Sequence, residues 1–316
     1  MLCSGSIVYD TLVIPFDESR WGTTQFVDCI GCHVGGNGAN TSRALARLEA
    51  PVRLIGGIGR DEPGKFVLKE LGLDGVDTQA VRVYEEATAA TVALVNSQGN
   101  RQFLHHLGVS REVFREGLDF TPELCGGMSH YHLASLFILP QVRLRAPEML
   151  RGARAAGLST SLDTNWDAHG EWMRALEPCL PELDILFMNE DEALRVTGIE
   201  DAKSAAAVVL NKGVKTAVMK LSGRGCAIYT AGGEEILCPA FEVIVRDTTG
   251  AGDCFVAGFL SVRQREGSLQ EAGRFGNAVA ALSVGKVGAV SGVLSREQTE
   301  AWMRVAQVRN PAAASV

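Results

Sequence analysis

Asp247-Thr248-Thr249-Gly250-Ala251-Gly252-Asp253 is the stretch of sequence that decides the fold. The β-branched segment Val243–Val245 precedes it and predicts a strand, and the apolar spacing of Phe255, Val256 and Phe259 after it predicts a helix. Two glycines at such a junction let backbone N–H groups converge at a helix start, where free donors and the helix dipole favour an anion. The sequence therefore predicts an anion-binding turn at the point where a strand passes into a helix.

Asp253 lies in the first turn of that predicted helix, directly after the glycines. A carboxylate beside an anion-binding set of amides is suited to accepting a hydroxyl proton while the amides hold a phosphoryl group. Its place at a helix start is expected to keep it ionised and therefore a weak base, which suffices where positioning provides most of the catalysis. An electrostatic cap is the alternative, but a cap does not require Gly250 and Gly252, so we favour a catalytic role.

A second glycine-rich stretch, Gly35-Gly36-Asn37-Gly38-Ala39-Asn40, precedes a predicted helix that carries Leu45 and Leu48. Glycines permit a close approach of the backbone to a ligand. The side-chain amides of Asn37 and Asn40 offer uncharged donors and acceptors that match vicinal sugar hydroxyls. The alternative is an N-capped helix after a glycine turn, and on this stretch alone the two interpretations stand level.

The composition excludes several classes of protein. The chain has 316 residues, of which 46% are hydrophobic and 21% charged, and this is typical of a soluble globular enzyme. A net charge of −7 argues against a nucleic-acid partner. No apolar run approaches the roughly 18 residues of a membrane span, and the first residues lack the basic and apolar regions of a signal peptide. We therefore expect a cytoplasmic protein that binds neither nucleic acid nor membrane.

The order of predicted elements indicates an α/β fold. A first buried strand is predicted at Leu2–Val8, and from about residue 109 predicted strands alternate with helices, which implies a parallel sheet flanked by helices. β-rich segments near residues 11–34 and 88–107 are too small for an independent domain, so we expect one domain over residues 1–316 with a small β lid. The later strands are predicted at 129–133, 158–163, 184–188 and 216–221, a hairpin at 225–239, and helices at 39–48, 143–156, 171–179, 190–197, 202–211, 250–264 and 269–285.

The segment Cys29-Ile30-Gly31-Cys32-His33 matches the spacing of covalent attachment sites for c-type haem. It also supplies half of a zinc site, which the pair His105-His106 would complete. Haem attachment takes place outside the cytoplasm, and two cysteines alone are a weak signal. We rank both interpretations below an accidental match on a β-strand.

Gly59-Arg60-Asp61-Glu62-Pro63-Gly64-Lys65-Phe66 has the spacing of a Walker A loop up to its lysine. Phe66 occupies the position of the magnesium-binding hydroxyl, and Pro63 removes one of the amides that would hold phosphate. Neither glycine-rich stretch continues to the third glycine of a dinucleotide fingerprint. The sequence therefore supports neither a P-loop enzyme nor a nicotinamide-dependent one.

Taken together, the two glycine-rich stretches resemble the signatures of the ribokinase-like (PfkB) family of sugar and nucleoside kinases. The first signature is residues 35–40 with Gly57-Ile58-Gly59-Arg60-Asp61 and Gly64, and the second is residues 247–253. The resemblance spans essentially the whole chain. It implies a doubly wound, mostly parallel sheet flanked by helices, with a small β-sheet lid over the sugar. It also implies ATP as phosphoryl donor, with magnesium.

The resemblance assigns roles to individual residues of this chain. Asp253 would be the catalytic base, with the amides of Gly250, Ala251 and Gly252 as the anion hole. Sugar hydroxyls would be held by Asp10, from the end of the first strand of the core, and by Gly36, Asn37 and Asn40. Asn189 and Glu192 would position magnesium and the phosphates, Glu192 through water, whereas Glu190 and Asp191 fit a solvated helix start equally well. The ATP site would further include Lys220, Ser222, Gly223, Gly225 and Asn277, and a potassium site, present in some members, would include Asp247, Thr249, Ser283 and Gly288.

We therefore expect an ATP-dependent kinase that phosphorylates a primary hydroxyl of a small sugar. Asn37 stands where ribokinases proper carry a lysine, and Val8 where they carry an asparagine, which weakens the case for ribose itself. A nucleoside kinase is the first alternative, because Phe16, Trp21, Phe26 and Phe103 would supply an apolar pocket for a base. A sugar sensor without turnover is the second. An apolar lid edge is compatible with a homodimer.

Overall fold

The computed structural model describes residues 1–18, 21–98 and 100–309. Within these residues, nine strands form a central sheet whose neighbours run parallel, except at one edge, where a hairpin strand reverses direction. Numbered in chain order, the strands lie across the sheet as β13 (Glu235–Cys238), β12 (Cys226–Thr230), β11 (Thr216–Lys220), β10 (Ile185–Asn189), β9 (Ser159–Asp163), β8 (His130–Leu133), β1 (Leu2–Ser4), β4 (Arg53–Gly59) and β5 (Val81–Tyr84).

Four further strands of the described chain form a small separate sheet. They fall in or beside the two segments predicted as a lid, of which residues 19, 20 and 99 lie outside the described residues. The register pairs Asp10 with His33 on one side and with Thr91 on the other, and Thr91 with His105. Directly opposite residues share a face, so these four side chains form one row. The order across this sheet is β3 (Cys29–Gly35), β2 (Val8–Ile14), β6 (Ala90–Val95) and β7 (Arg101–His106).

Helices cover both faces of the central sheet. Alternation of strand and helix brings one apolar layer against each face, and two large clusters of buried apolar side chains lie there. One layer contains α4, α6 and α7, and the other contains α1, α8 and α9. In chain order the helices are α1 (Asn37–Arg47), α2 (Glu62–Leu73), α3 (Pro122–Cys125), α4 (Pro140–Ala155), α5 (Met173–Leu176), α6 (Glu190–Thr197), α7 (Ala202–Leu210), α8 (Ala251–Arg263), α9 (Leu269–Val284) and α10 (Arg296–Val305).

Helix α8 is fixed in place by close packing on both sides. Phe259 packs edge-on against Phe187 of β10, with ring centroids 5.2 Å apart. On the other side, a side chain at Gly258 would lie 2.9 Å from the Cα atom of Gly276, so glycine lets α9 approach closely. The start of α8, where the predicted site lies, is therefore held rigidly against the sheet.

The expected α/β fold is confirmed, and several element boundaries are corrected. The strand predicted at Leu2–Val8 is two strands, β1 and β2, because the chain turns at Gly5, where a side chain would lie 2.8 Å from the Cα atom of Gly38. The segment Val243–Val245 is not a strand: it pairs with no neighbouring strand of the described chain. The helix predicted at 171–179 is short, since prolines follow it and the chain continues as a 3₁₀ turn.

Four of the labelled elements were missed by the sequence reasoning: α2, α3, β5 and α10. The stretch resembling a Walker A loop forms the start of α2. Asp61 caps this helix, its Oδ1 accepting the amide of Gly64 at 2.9 Å, and Pro63 lies in the first turn. Among the described residues, no helix is both long and apolar enough to cross a membrane.

Candidate active site

Asp253 lies at the start of α8, as predicted, and it is buried. Gly250 caps this helix in the left-handed region (φ 71°), and a side chain there would lie 2.7 Å from the Cβ atom of Ala289. The Ala251 amide donates to the Thr248 carbonyl oxygen at 3.2 Å, so helix geometry leaves the amides of Gly252 and Asp253 as the unpaired donors. The role of Gly250, Ala251 and Gly252 as an anion hole stays a prediction, and the Ala251 amide is engaged in the turn.

Asn37 and Asn40, which were predicted to hold the sugar, both contact Asp253 in this structure. The Nδ2 of Asn37 donates to Oδ1 of Asp253 at 2.9 Å, and the Nδ2 of Asn40 donates to Oδ2 at 3.0 Å. Gly36 sets the start of α1 with φ 91°, and its carbonyl accepts the Asn40 amide at 2.8 Å. The buried Oδ1 of Asn40 has no partner among the described residues, so it remains available to a substrate hydroxyl.

The pKa of Asp253 is higher than a weak base at a helix start would have. Burial raises the pKa of Asp253 above its ordinary value, and the hydrogen bonds from Asn37 and Asn40, together with the charge of Lys220, limit the rise. A raised pKa makes the carboxylate a stronger proton acceptor once it is ionised. The helix start alone does not set its basicity, because desolvation is the larger effect.

Asp10 lies in the small sheet, on β2, and not at the end of a core strand as predicted. Gly35 leaves room for it, since a side chain there would lie 1.9 Å from Oδ2 of Asp10. Burial raises the pKa of Asp10 to about 6, although a hydrogen bond with Thr91 acts to lower it. His33, Thr91 and His105 share its face of the sheet by register, which makes this face polar.

A buried ion pair lies beside the anion hole. The Nζ of Lys220 donates to both carboxylate oxygens of Asp163, at 2.7 and 2.9 Å, and lies 3.5 Å from where a side chain of Gly252 would begin. Burial raises the pKa of Asp163, which the Lys220 ammonium opposes. For Lys220, burial favours the neutral amine, yet the charges of Asp163 and Glu192 raise its pKa. Lys220 therefore places a positive charge at the bottom of the site.

Asn189 and Glu192 begin α6 in a reciprocal capping box, with both hydrogen bonds at 2.8 Å. Glu192 is buried and also accepts from the Thr164 hydroxyl at 3.0 Å. The neighbouring Glu190 is partly exposed and pairs with Arg224. The charge of Glu192 also raises the pKa of Asp163 and of Lys220, so the residue that caps α6 lies close to the buried ion pair.

A cavity of about 370 Å³ opens beside the anion hole. Its apolar wall includes Phe241, Val243 and Ala280, none of which the sequence reasoning singled out. Arg309 also lines it and donates to the Gly223 carbonyl at 3.2 Å. The cavity brings together the predicted ATP residues Asn189, Lys220, Ser222, Gly223, Gly225 and Asn277 with Ala251 and Gly252 of the anion hole.

Asn277 and Gly225 shape this cavity through the backbone. The buried Nδ2 of Asn277 donates to the carbonyls of Cys238 and Pro239, at 2.8 and 3.2 Å. Gly225 adopts φ 99°, and a side chain there would lie 2.1 Å from the Cys238 carbonyl oxygen. Both residues hold the chain after β13 in place, so the amide group of Asn277 is already engaged in the protein.

Three of the four residues predicted for potassium cluster around one carboxylate. Asp247 accepts the Thr249 amide at 2.8 Å and the Gly288 amide at 2.9 Å, whereas Ser283 donates to the Ala280 carbonyl within α9. Arg101, from β7 of the small sheet, donates to the same Asp247 at 2.8 Å. Burial favours the neutral acid, but these hydrogen bonds hold the pKa of Asp247 below its ordinary value.

The haem and zinc interpretations of the two cysteines find no support in the geometry. Cys29 and Cys32 lie three positions apart on β3, so their side chains point to opposite faces, and the Tyr9 hydroxyl donates to Cys32 Sγ at 2.7 Å. No group of three metal-binding side chains occurs in the described residues. Trp21 and Phe26, two of the four aromatic residues predicted to line a pocket for a nucleoside base, are 96% and 97% exposed in this structure.

The family model described as pfkB family carbohydrate kinase matches residues 2–296. The chain belongs to the PfkB family. The ATP-dependent ribose-1-phosphate kinase of Halopiger xanaduensis is 32% identical over 258 residues, covering 81% of this chain and 82% of that protein. The ribokinase of Haemophilus influenzae is 31% identical over 275 residues, covering 84% and 85%. A structure of Arabidopsis thaliana ribokinase complexed with ribose and ATP has a TM-score of 0.87 at 27% identity, covering 96% and 98%.

Membership of PfkB confirms the family, the fold class and the class of enzyme expected from the sequence, an ATP-dependent sugar kinase. The roles of the individual residues stay predictions. The sequence reasoning missed Arg101 as a partner of Asp247, and Phe241 and Arg309 as cavity residues. Arg101 had one signal, since it alternates with Phe103 and His105 along β7, whereas Arg309 had none.

Proposed function

We propose that this PfkB protein transfers the γ-phosphoryl group of ATP to a primary hydroxyl of a small sugar, with Asp253 as the base. The observation that carries the proposal is the position of Asp253. Its carboxylate is held by Asn37 and Asn40 on one side, and it follows Gly252, which lines the 370 Å³ cavity, on the other. The proposed proton acceptor, the proposed anion hole and a cavity large enough for a nucleotide therefore lie together at the start of α8.

The sugar would bind between Asp253 and the polar face of the small sheet. Asp10 offers a carboxylate to hydroxyl groups, and the free Oδ1 of Asn40 offers an acceptor beside the base. His105 bonds Thr91 at 3.0 Å on the same face. Such closely spaced donors and acceptors suit a polyhydroxylated substrate better than an apolar one.

ATP would occupy the cavity, with its phosphates at the start of α8. The apolar wall around Phe241 suits an adenine ring, and Lys220 supplies positive charge near the transferring group. Carboxylate oxygens are preferred by magnesium, and the buried Glu192 with Asn189 fits that chemistry through water. Bound there, magnesium would neutralise phosphate charge. Asp253 would accept the hydroxyl proton while the Gly252 amide holds the developing negative charge.

The small sheet would act as a lid over the sugar. Its polar face and the contact of Arg101 with Asp247 place it against the α/β core near the site. Closure over a bound sugar would exclude water, which otherwise competes with the sugar hydroxyl for the phosphoryl group. We propose the division into one domain with a lid, from about 11–34 and 88–107, on this basis.

Two finer predictions bear on this proposal. Ile30 and Leu104 on the outer face of the small sheet are 67% and 54% exposed, which supports a homodimer through the lid. Analytical ultracentrifugation of Leu104→Glu would then show a monomer where the unaltered chain is a dimer. The second concerns the potassium ion expected near Asp247, Thr249, Ser283 and Gly288. The Arg101 guanidinium already contacts the first two residues, so this proposal does not include potassium.

ADP release would be measured with magnesium and ATP across hexoses, pentoses, ribose 1-phosphate, sugar acids and nucleosides. We expect turnover of at least one sugar or sugar phosphate, abolished in Asp253→Asn. Turnover of nucleosides alone would favour the nucleoside alternative. Binding of sugar without ADP release from any compound would favour a sensor and contradict the proposal.

A further inference from the structure

Arg101 connects two parts of the molecule that the sequence separates by 146 residues. It is the first residue of β7, at the end of the small sheet, and its Nη2 donates to Oδ1 of Asp247 at 2.8 Å. Its Nη1 donates to the hydroxyl of Thr249. The Asp247 side chain is only 8% exposed and that of Arg101 29%, so the ion pair is largely removed from water. A guanidinium that bonds a carboxylate and a hydroxyl together is held in orientation as well as in position.

Through Asp247, this contact connects the small sheet to the loop of residues 247–253, which leads into α8. Its Oδ1 also accepts the Thr249 amide, and its Oδ2 accepts the Gly288 amide. The turn at Gly288 leads to Ala289, which packs against Gly250 so closely that no side chain fits there. The carboxylate therefore joins the loop that sets the anion hole to the turn that supports it.

The negative charge of Asp247 has to be neutralised if phosphates are to bind nearby. A buried carboxylate near the anion hole repels the phosphates that the hole must hold, unless a cation neutralises it. Arginine remains charged at every relevant pH, and the structure places its guanidinium directly on this carboxylate.

We propose that Arg101 is a positioning residue, a cation tethered to the small sheet that neutralises Asp247 and orders the anion-hole loop, so that this protein needs no potassium. The inference rests on the proposed kinase function. Arg101 shares a face of the sheet with Phe103 and His105, and by register with Asp10. In this structure the small sheet therefore holds Arg101 on Asp247 in the same position in which it offers Asp10 to the sugar. Sugar binding and assembly of the anion hole would be coupled.

The first test measures kcat and KM in potassium, sodium and tetramethylammonium salts at constant ionic strength. We expect the unaltered protein to have the same kcat in all three. Arg101→Gln should lose about tenfold or more in kcat in tetramethylammonium, because the loop is no longer held, and recover much of it in potassium or added guanidinium. Arg82→Gln is the matched control, since it removes a guanidinium from an exposed position of β5, and it should behave like the unaltered protein.

Three kinetic results would overturn the proposal. The first is a potassium requirement in the unaltered protein, and the second is an Arg101→Gln variant as active as its parent in every salt. An equal loss in every salt that no cation relieves would also overturn it, because that is the behaviour of a purely structural residue. If the unaltered protein phosphorylates no compound in any salt, the proposed function fails instead.

A second measurement tests the tether without any turnover. Hydrogen exchange of the amides in β6 and β7 would be followed in the protein without substrates. Arg101→Gln should exchange about tenfold faster there than Arg82→Gln, because the sheet loses its attachment to Asp247. Equal exchange in the two variants would overturn the tether, whatever the kinase assays show.

Discussion

Asn40 and Asp253, 213 residues apart in the chain, are joined by a hydrogen bond of 3.0 Å from Nδ2 to Oδ2. The bond connects the start of α1 to the start of α8, the two helices that follow the glycine-rich stretches. The two sequence signatures therefore act on the same group: residues 247–253 supply the carboxylate, and residues 35–40 supply the amides that orient it. Asn37 completes the arrangement by bonding the second carboxylate oxygen.

This arrangement predicts how the pH dependence of kcat/KM responds to Asn40→Ala. Burial raises the pKa of Asp253, and the hydrogen bonds from Asn37 and Asn40 oppose that rise. A base acts only when it is ionised, so activity falls as the pH drops through its pKa. Removing the Asn40 amide should raise that pKa further and move the acidic limb of the profile to higher pH. A limb that stays in place, or moves to lower pH, would show that Asn40 does not tune the base.

Asp10 should make sugar binding depend on pH. Burial raises the pKa of Asp10 to about 6, so its carboxylate is neutralised as the pH falls below that value. The KM for the sugar should therefore rise below about pH 6, with the KM for ATP unchanged. In Asp10→Asn, the sugar KM should be high and should lose this pH dependence. Equal weakening of sugar and ATP would mean that Asp10 supports the fold rather than the substrate.

Lys220→Met should destabilise the protein by about 3–5 kcal/mol, because it leaves the buried Asp163 carboxylate without its partner. Chemical denaturation would measure this loss. The loss should shrink as the pH falls, since the raised pKa of Asp163 lets the carboxyl group take up a proton. The double variant Lys220→Met with Asp163→Asn should be more stable than Lys220→Met alone. Equal stability of Lys220→Met and its parent would mean that the pair is not a structural centre.

Gly225→Ala should weaken ATP binding and cost about 1–3 kcal/mol of stability, because its φ of 99° strains any side chain and the space is filled by the Cys238 carbonyl. Gly232→Ala is the matched control in the neighbouring hairpin turn, where an added side chain would meet nothing closer than 3.7 Å. Calorimetry with ATP would compare the two variants. Similar ATP affinities would contradict the assignment of the cavity to the nucleotide.

The sequence predicted the parts of this protein that depend on local pattern. Strand–helix alternation and the two glycine-rich helix starts anticipated a mostly parallel sheet flanked by helices and the positions of Asp253 and Asn40 at helix starts. The sequence did not predict that Asn37 and Asn40 bond to Asp253, because a contact across 213 residues leaves no periodic signal. The basicity of Asp253 was underestimated for a similar reason, since desolvation depends on what packs around a residue.

Long-range contacts were also the ones missed at the edges of the site. Arg101 reaches Asp247 only because the small sheet lies against the core, and neither residue's neighbours in sequence indicate this. Val243–Val245 looked like a strand because β-branched residues favour strands. In the structure Val243 and Val245 line the cavity, and Ile244 is 82% exposed. The β-branched residues therefore form part of the cavity wall rather than a strand of the sheet.

The central claim is that Asp253 accepts the proton of the sugar hydroxyl while the start of α8 holds the phosphoryl group. The most direct test compares kcat of Asp253→Asn and the unaltered protein on the best acceptor, with ATP affinity measured in parallel by calorimetry. We predict a loss in kcat of about 10³-fold with ATP affinity unchanged, because asparagine keeps the shape of the helix start but cannot accept the proton. A kcat close to that of the unaltered protein, with the same ATP affinity, would contradict the claim.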